Sequence, residues 1–219
     1  MKKGVFWLIS VMLMFLTLFA LNGCSLSGET IPKNRTKEQY EFEKTFEPMF
    51  KFLEQEKKEF TGIEAYQSSV YIKTGDDVKN YEVDLDTNKA DIKGKYKIIA
   101  GENKETVPVT YSSGTLHYES DTDPLFDEGI LNLAVSRDYF ASLNIKETFK
   151  SAETELSDII YQPENHSDLY KYLKNKYDVP EDTTCRIRVR YSSGSIYGVT
   201  IQLNSKAKTV QLDLTIFKQ

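Results

Sequence analysis

The chain has 219 residues, 40% of them hydrophobic, with 28 Lys+Arg against 33 Asp+Glu, two His and two Cys. That length suits one domain with a substantial core. A net charge of −5 speaks against a general nucleic-acid binder, and so few Cys and His speak against a disulfide scaffold or a multi-histidine metal site.

Lys2 and Lys3 precede an apolar run from Val5 to Leu21, which ends in Leu21-Asn22-Gly23-Cys24. At ~1.5 Å per residue the run reaches roughly 25 Å, short of a ~30 Å hydrocarbon core. An aliphatic residue three before a Cys, with a small residue directly before it, resembles a bacterial lipobox; Asn22 stands where Ala, Ser or Thr is usual. The expectation is a lipoprotein signal peptide over residues 1–23, cleaved to leave Cys24 with a diacylglyceryl group on its thiol. Each buried acyl CH₂ contributes ~0.8 kcal/mol, so two or three chains hold a protein stably. The competing readings are an uncleaved anchor helix and a signal peptide cleaved elsewhere, but no small-x-small site precedes Cys24. Residues 1–23 hold no acid, so the remainder carries 26 Lys+Arg against 33 Asp+Glu, a net −7.

Residues 24–35 are expected to be the lipidated Cys and a flexible tether, because they are polar and aperiodic and contain Gly28 and Pro32. One extracytoplasmic domain is then expected over 36–219. Thr36 and Gln39 have capping-box spacing, which predicts a helix from about 36 to 46. Pro48 suits the first turn of a second helix running to about Glu59. Tyr40, Phe46, Met49, Phe50, Leu53 and Phe60 are its candidate buried stripe.

From Ala65 the apolar period becomes two. A strand through Val70 and Ile72 leads to a hairpin in which Tyr81, Val83 and Leu85 alternate with acids, and Ile92, Tyr96 and Ile98 alternate with lysines. A turn at Thr87–Ala90 sets Asp86 opposite Asp91, Asp84 opposite Lys93 and Glu82 opposite Lys95. These carboxylates read as a solvated charge ladder rather than as a catalytic pair. Strands at 106–111 and 115–119 follow, joined through Ser113-Gly114. The segment 121–151 reads as mostly helical, with Leu125, Phe126, Ile130, Leu131, Leu133, Val135, Tyr139, Phe140 and Leu143 as core candidates. A short strand is expected around Leu156–Ile160 and a helix over 167–176, with Pro180 beyond its end. Three closing strands follow at 184–191, 195–204 and 208–217. Tyr111-Ser112-Ser113-Gly114 recurs as Tyr191-Ser192-Ser193-Gly194, which is better explained by coincidence or shared turn chemistry than by duplication.

Signals for catalysis are poor. Cys24 is taken by lipid, and Cys185 sits mid-strand on an apolar face, where a thiol is normally inert. His117 and His166 belong to no recognisable nucleophile or metal pattern, so neither enzymatic activity nor a metal or other cofactor is expected. Arg186, Arg188 and Arg190 stand out as three of the five arginines, alternating along one strand and therefore sharing one face. Their planar guanidinium groups suit carboxylate or phosphate oxygens. A three-residue loop at 192–194 sets Arg186 near Thr200 and Arg188 near Gly198. The competing reading is that acids on a neighbouring strand or helix cover the row.

The lipobox, the block Leu85-Asp86-Thr87-Asn88-Lys89 continuing to Lys93-Gly94-Lys95-Tyr96, the stretch Leu169–Pro180 and the alternating strands after Pro180 together make the chain similar to the staphylococcal tandem lipoproteins, also called conserved staphylococcal antigens. The resemblance implies a membrane-anchored surface antigen with host-facing roles and no enzymatic mechanism, and it carries no active-site residues across. The expected architecture is α+β, an antiparallel sheet of seven or more strands with helices packed on one side, behind a lipoprotein signal peptide. The expected function is a non-enzymatic lipoprotein on the outer face of the cell membrane, anchored through Cys24. It would bind a protein or anionic cell-surface partner through Arg186, Arg188 and Arg190. The alternatives are an immunity factor against a secreted antibacterial toxin and a lipid or glycolipid carrier.

Overall fold

Strand pairing dominates the architecture. The computed structural model describes residues 30–123, 135–164 and 167–219. The lipidation candidate Cys24 and the core candidates Leu125, Phe126, Ile130, Leu131 and Leu133 lie outside them, as does His166. Pro32–Gln219 form one compact unit.

The unit opens with α1 (Lys37–Glu43), a 3-10 turn (Lys44–Phe46) and α2 (Glu47–Glu54). The capping box is present as the sequence implies: Gln39 N–H donates to Thr36 Oγ1 at 3.1 Å, and Thr36 N–H donates to Gln39 Oε1 at 3.0 Å. Pro48 lies in the first turn of α2, where a missing N–H costs nothing. A meander follows, β1 (Ile63–Thr74), β2 (Asp77–Asp86), β3 (Ile92–Ala100), β4 (Asn103–Ser112) and β5 (Thr115–Tyr118). Then come α3 (Arg137–Ser142), β6 (Asn144–Ser151), β7 (Leu156–Gln162), α4 (Asp168–Tyr177), β8 (Thr184–Ser192), β9 (Ile196–Asn204) and β10 (Lys208–Lys218). All ten described strands make one antiparallel sheet in the order β5-β4-β3-β2-β1-β10-β9-β8-β7-β6. Two meanders are thus joined where the first strand pairs with the last.

The expected antiparallel sheet is present, and two local expectations are corrected. Residues 144–151 form an edge strand rather than the end of a helical segment. Only Ile145 and Phe149 are apolar there, so the segment has no period of its own, and its ladder with β7 decides its conformation. The tether boundary also moves, because Arg35 is buried and Asn34 Nδ2 donates to Leu143 O at 3.1 Å.

Strand alternation gives the sheet two unlike faces. On one, Tyr66 and Val70 (β1), Val83 (β2), Tyr96 (β3), Val109 (β4), Ile187 (β8), Ile201 (β9) and Leu212 (β10) are all buried. The helical segments contribute to this core: Phe52 lies 6.2 Å from Tyr66, and Phe140 sits 4.7 Å from Phe50 and 5.3 Å from Tyr161 between ring centroids. Tyr111 Oη donates to Lys57 O at 2.6 Å, tying β4 to the chain just after α2. Each large side chain buried this way contributes ~1.5–3 kcal/mol of transfer free energy. Gly94 faces the same side, and a Cβ there would fall inside contact distance of the Asp84 carbonyl oxygen, so only glycine lets β3 approach β2 this closely.

The recurring Tyr-Ser-Ser-Gly does not build the same turn twice. Ser113 and Gly114 form a two-residue loop with φ of 53° and 83°, whereas 193–195 form a three-residue loop with positive φ at Gly194 and Ser195. The hairpins also occupy unlike places, one at the sheet edge and one inside it.

Candidate functional site

The second face of the sheet is polar, and the arginine row lies on it. Arg186, Arg188 and Arg190 project from β8 opposite Gln202, Thr200 and Gly198 of β9. This is two residues away from the register expected from sequence. β8 continues through Ser192, and the left-handed conformation of Gly194 and Ser195 closes the loop later. A parallel correction applies to the acidic hairpin, where Asp86, Asp84 and Glu82 face Lys93, Lys95 and Lys97. Thr87 leaves the ladder there, because its Oγ1 donates to Ile63 O at 2.6 Å, and the Asp86 carboxylate accepts from Asn88 N–H at 3.2 Å. The charge ladder survives in kind with a new cation: Lys97 Nζ lies 2.7 Å from Asp84 and 3.6 Å from Glu82.

A neighbouring strand answers part of the arginine charge. Arg190 grips Asp158 of β7 with two parallel bonds, Nε to Oδ1 at 2.8 Å and Nη2 to Oδ2 at 3.0 Å. That pair raises the guanidinium's affinity for its proton, chiefly through the hydrogen bonds to Asp158. Arg186 Nη2 reaches Glu147 of β6 at 3.4 Å, in the open. Arg188 is held least, with its Nε 4.0 Å from the Asp158 Oδ2 that Arg190 already engages, and with 39% of its side chain exposed. Among the described residues three cations therefore meet two carboxylates, and the surplus falls at Arg188.

Around this surplus the face is hollowed. Arg186, Arg188, Arg190, Thr200, Gln202 and Gln211 line a depression of ≈410 Å³ that ends at Asp213. Asp213 is also the rim of a second depression of ≈410 Å³, shared with Gln67, Ser69, Glu82, Asp84 and Lys97. Thr200 Oγ1 donates to Asp213 Oδ1 at 2.6 Å and Gln211 Nε2 donates to Oδ2 at 2.7 Å, which fixes the carboxylate between the two hollows. Sequence reasoning marked the arginines and missed Asp213. A lone acid on an alternating strand carries no signal until pairing places it beside Thr200.

A second charged cluster, also missed, lies among the helices. Arg35 and Glu43 have fully buried side chains. Arg35 Nη2 lies 3.1 Å from Glu43 Oε1 and donates to Phe140 O at 2.9 Å, while Tyr161 Oη donates to the same Glu43 oxygen at 2.6 Å. Arg137 approaches Glu43 at 3.4 Å and Glu47 at 3.2 Å. Burial, reinforced by the Glu43 charge, pushes the Tyr161 hydroxyl far up, so it stays a donor. The cluster joins α1, α3 and β7 and is closed to solvent at its centre.

Cys185 is buried on the apolar face, and burial raises its thiol to about 12. His117 Nε2 sits 3.0 Å from Ser112 Oγ on the exposed β4–β5 hairpin. Among the described residues no group of three His, Cys, Asp or Glu side chains is placed to hold a metal ion.

Comparison with known proteins adds little. No protein-family model matches the chain, and no curated protein matches it. Among solved structures, the N-terminal dehydratase from the difficidin assembly line is similar over 79% of this chain and 84% of that one, at 8% identity and a TM-score of 0.19. A likeness of that strength carries no argument about fold or chemistry.

Proposed function

We propose that this chain is a lipid-anchored extracytoplasmic protein, a distant relative of the staphylococcal tandem lipoproteins, that captures a partner on the polar face of its sheet. Its described helices gather on the apolar face, and among the described residues no helix covers the other. Cys24 supplies the anchor, and Arg188 supplies the charge to which an anionic group on the partner docks. The protein acts by binding and catalyses no reaction.

The observation that carries this reading is the incomplete neutralisation of the arginine row beside a hollow in the sheet face. A purely structural row would match each guanidinium with its own carboxylate, as Arg190 is matched with Asp158.

The test uses the full chain in a bacterium that processes lipoproteins. Wild-type protein should fractionate with the membrane, and Cys24→Ser should release it or leave an unprocessed precursor. Chemical crosslinking on whole cells should capture a partner with the wild type and lose it with Arg188→Gln. Unaltered membrane retention in Cys24→Ser would end the anchoring reading, and unaltered capture in Arg188→Gln would end the binding reading.

A further inference from the structure

Ladder pairing sets one straight row of side chains across the polar face: Arg188, Thr200, Asp213, Ser69, Glu82 and Lys97. Neighbouring strands are ~4.8 Å apart, so Arg188 stands roughly 10 Å from Asp213, and Asp213 roughly 10 Å from Glu82. The charges along the row are unlike and only partly cancelled. On the β8 side, three guanidinium groups meet Asp158 and Glu147. On the β10–β2 side, Asp213, Glu82 and Asp84 line one hollow together with Lys97, whose ammonium pairs with Glu82 and Asp84. Among the described residues no Lys or Arg forms an ion pair with Asp213; its oxygens accept from neutral Thr200 and Gln211. One hollow therefore has an excess of positive charge and the adjoining hollow an excess of negative charge, with Asp213 at the boundary.

We infer that this face takes an extended peptide segment of mixed charge, whose acidic side chain sits on Arg188 and whose lysine lies between Asp213 and Glu82. The inference rests on the proposed capture of a partner at this face and names that partner's chemistry. A polyanion reaching past Arg188 meets three carboxylates, and a polycation reaching past Asp213 meets the arginines; only a segment with both signs spans the two hollows without a like-charge contact. The floor of the row suits a peptide backbone, since Thr200, Gln202, Gln211, Ser69 and Gln67 each offer both donors and acceptors. In the polyproline II conformation a chain advances ~3.1 Å per residue with three residues per turn, so side chains three apart share one side and lie roughly 9 Å apart, close to the Arg188-to-Asp213 step. The recognised pattern is accordingly an acid, two neutral residues and a lysine.

The test measures anisotropy of fluorescein-labelled peptides with full-length protein in mild detergent. One peptide carries Glu-x-x-Lys in a Ser/Thr background, one carries Glu-x-x-Glu and one Lys-x-x-Lys. The mixed peptide should bind about tenfold tighter than either single-sign peptide, and Arg188→Gln or Asp213→Asn should each weaken it about tenfold. Arg188→Glu should invert the preference towards Lys-x-x-Lys, a gain that misfolding cannot produce. Binding should also weaken as salt rises. Equal binding of Glu-x-x-Glu and Glu-x-x-Lys overturns the inference, as does failure of all three peptides. If the peptides fail while inorganic polyphosphate binds in an Arg188-dependent way, the face captures an anion and the peptide assignment alone falls. If crosslinked capture on cells is indifferent to Arg188, the functional proposal falls with it.

Discussion

Arginines meet carboxylates in two places in this molecule, and the two places do opposite work. Among the helices, Arg35 and Glu43 are wholly removed from solvent and every strong partner is supplied by the protein: Tyr161, Arg137 and the Phe140 carbonyl. On the polar face, Arg190 pairs closely with Asp158 while Arg188 lies 4.0 Å from the same carboxylate, and both side chains stay more than a third exposed. Burying a charge costs several kcal/mol, so a buried guanidinium must be fully answered, whereas an exposed one is answered by water until something better arrives. Similar chemistry thus becomes a clamp in one setting and the proposed docking point in the other.

The contrast is broken most severely at Glu43. Glu43→Gln removes the charge that Arg35 and Arg137 face while leaving both guanidinium groups in place, and should cost ~3–5 kcal/mol in urea unfolding. A loss below ~1 kcal/mol would mean that the cluster is not the clamp described.

Alkali probes the apolar face. Burial raises the native Cys185 thiol from 9.0 to about 12, so the unfolded chain loses this proton first as pH climbs. The stabilisation is complete at neutral pH and drains away between pH 9 and pH 12, by an amount on the order of a few kcal/mol. Melting temperature should therefore fall over that window, and Cys185→Ala, though less stable at neutral pH through its cavity, should show a flatter fall. Parallel curves would refute the buried thiol as the titrating group.

Tyr161→Phe sharpens the comparison by removing one hydrogen bond from Glu43 and nothing else. It should cost ~1–2 kcal/mol, with helix content unchanged by circular dichroism. The smallest effects belong to the polar face. Arg190→Gln should cost ~1 kcal/mol or less, and Arg188→Gln under ~0.5 kcal/mol. A large stability loss at Arg188 would make it structural and remove the reason to regard it as a docking point.

Legibility in the sequence followed the strength of local patterns. The paired strands around Tyr81–Asp86 and 208–217 and the helix after Ser167 were readable because apolar residues recur at the proper period and caps punctuate them. β6 was not, since an edge strand with both faces exposed needs no pattern. Both hairpin registers shifted by two residues because the loops take side-chain and left-handed backbone conformations that strand alternation does not encode. A shift of two keeps each side chain on its face, so the arginine row and the acidic ladder kept their faces and only their opposite numbers changed.

Alternation determined by itself that Arg186, Arg188 and Arg190 share one side of a strand, because successive side chains in extended backbone must point opposite ways. Only tertiary structure decided what stands beside them. β8 lies between β7 and β9, so Asp158 reaches Arg190 and Arg188, and the row continues across Thr200 to Asp213. Such neighbours come from chain segments far apart in sequence, and Coulomb interactions depend on distance in space rather than along the chain.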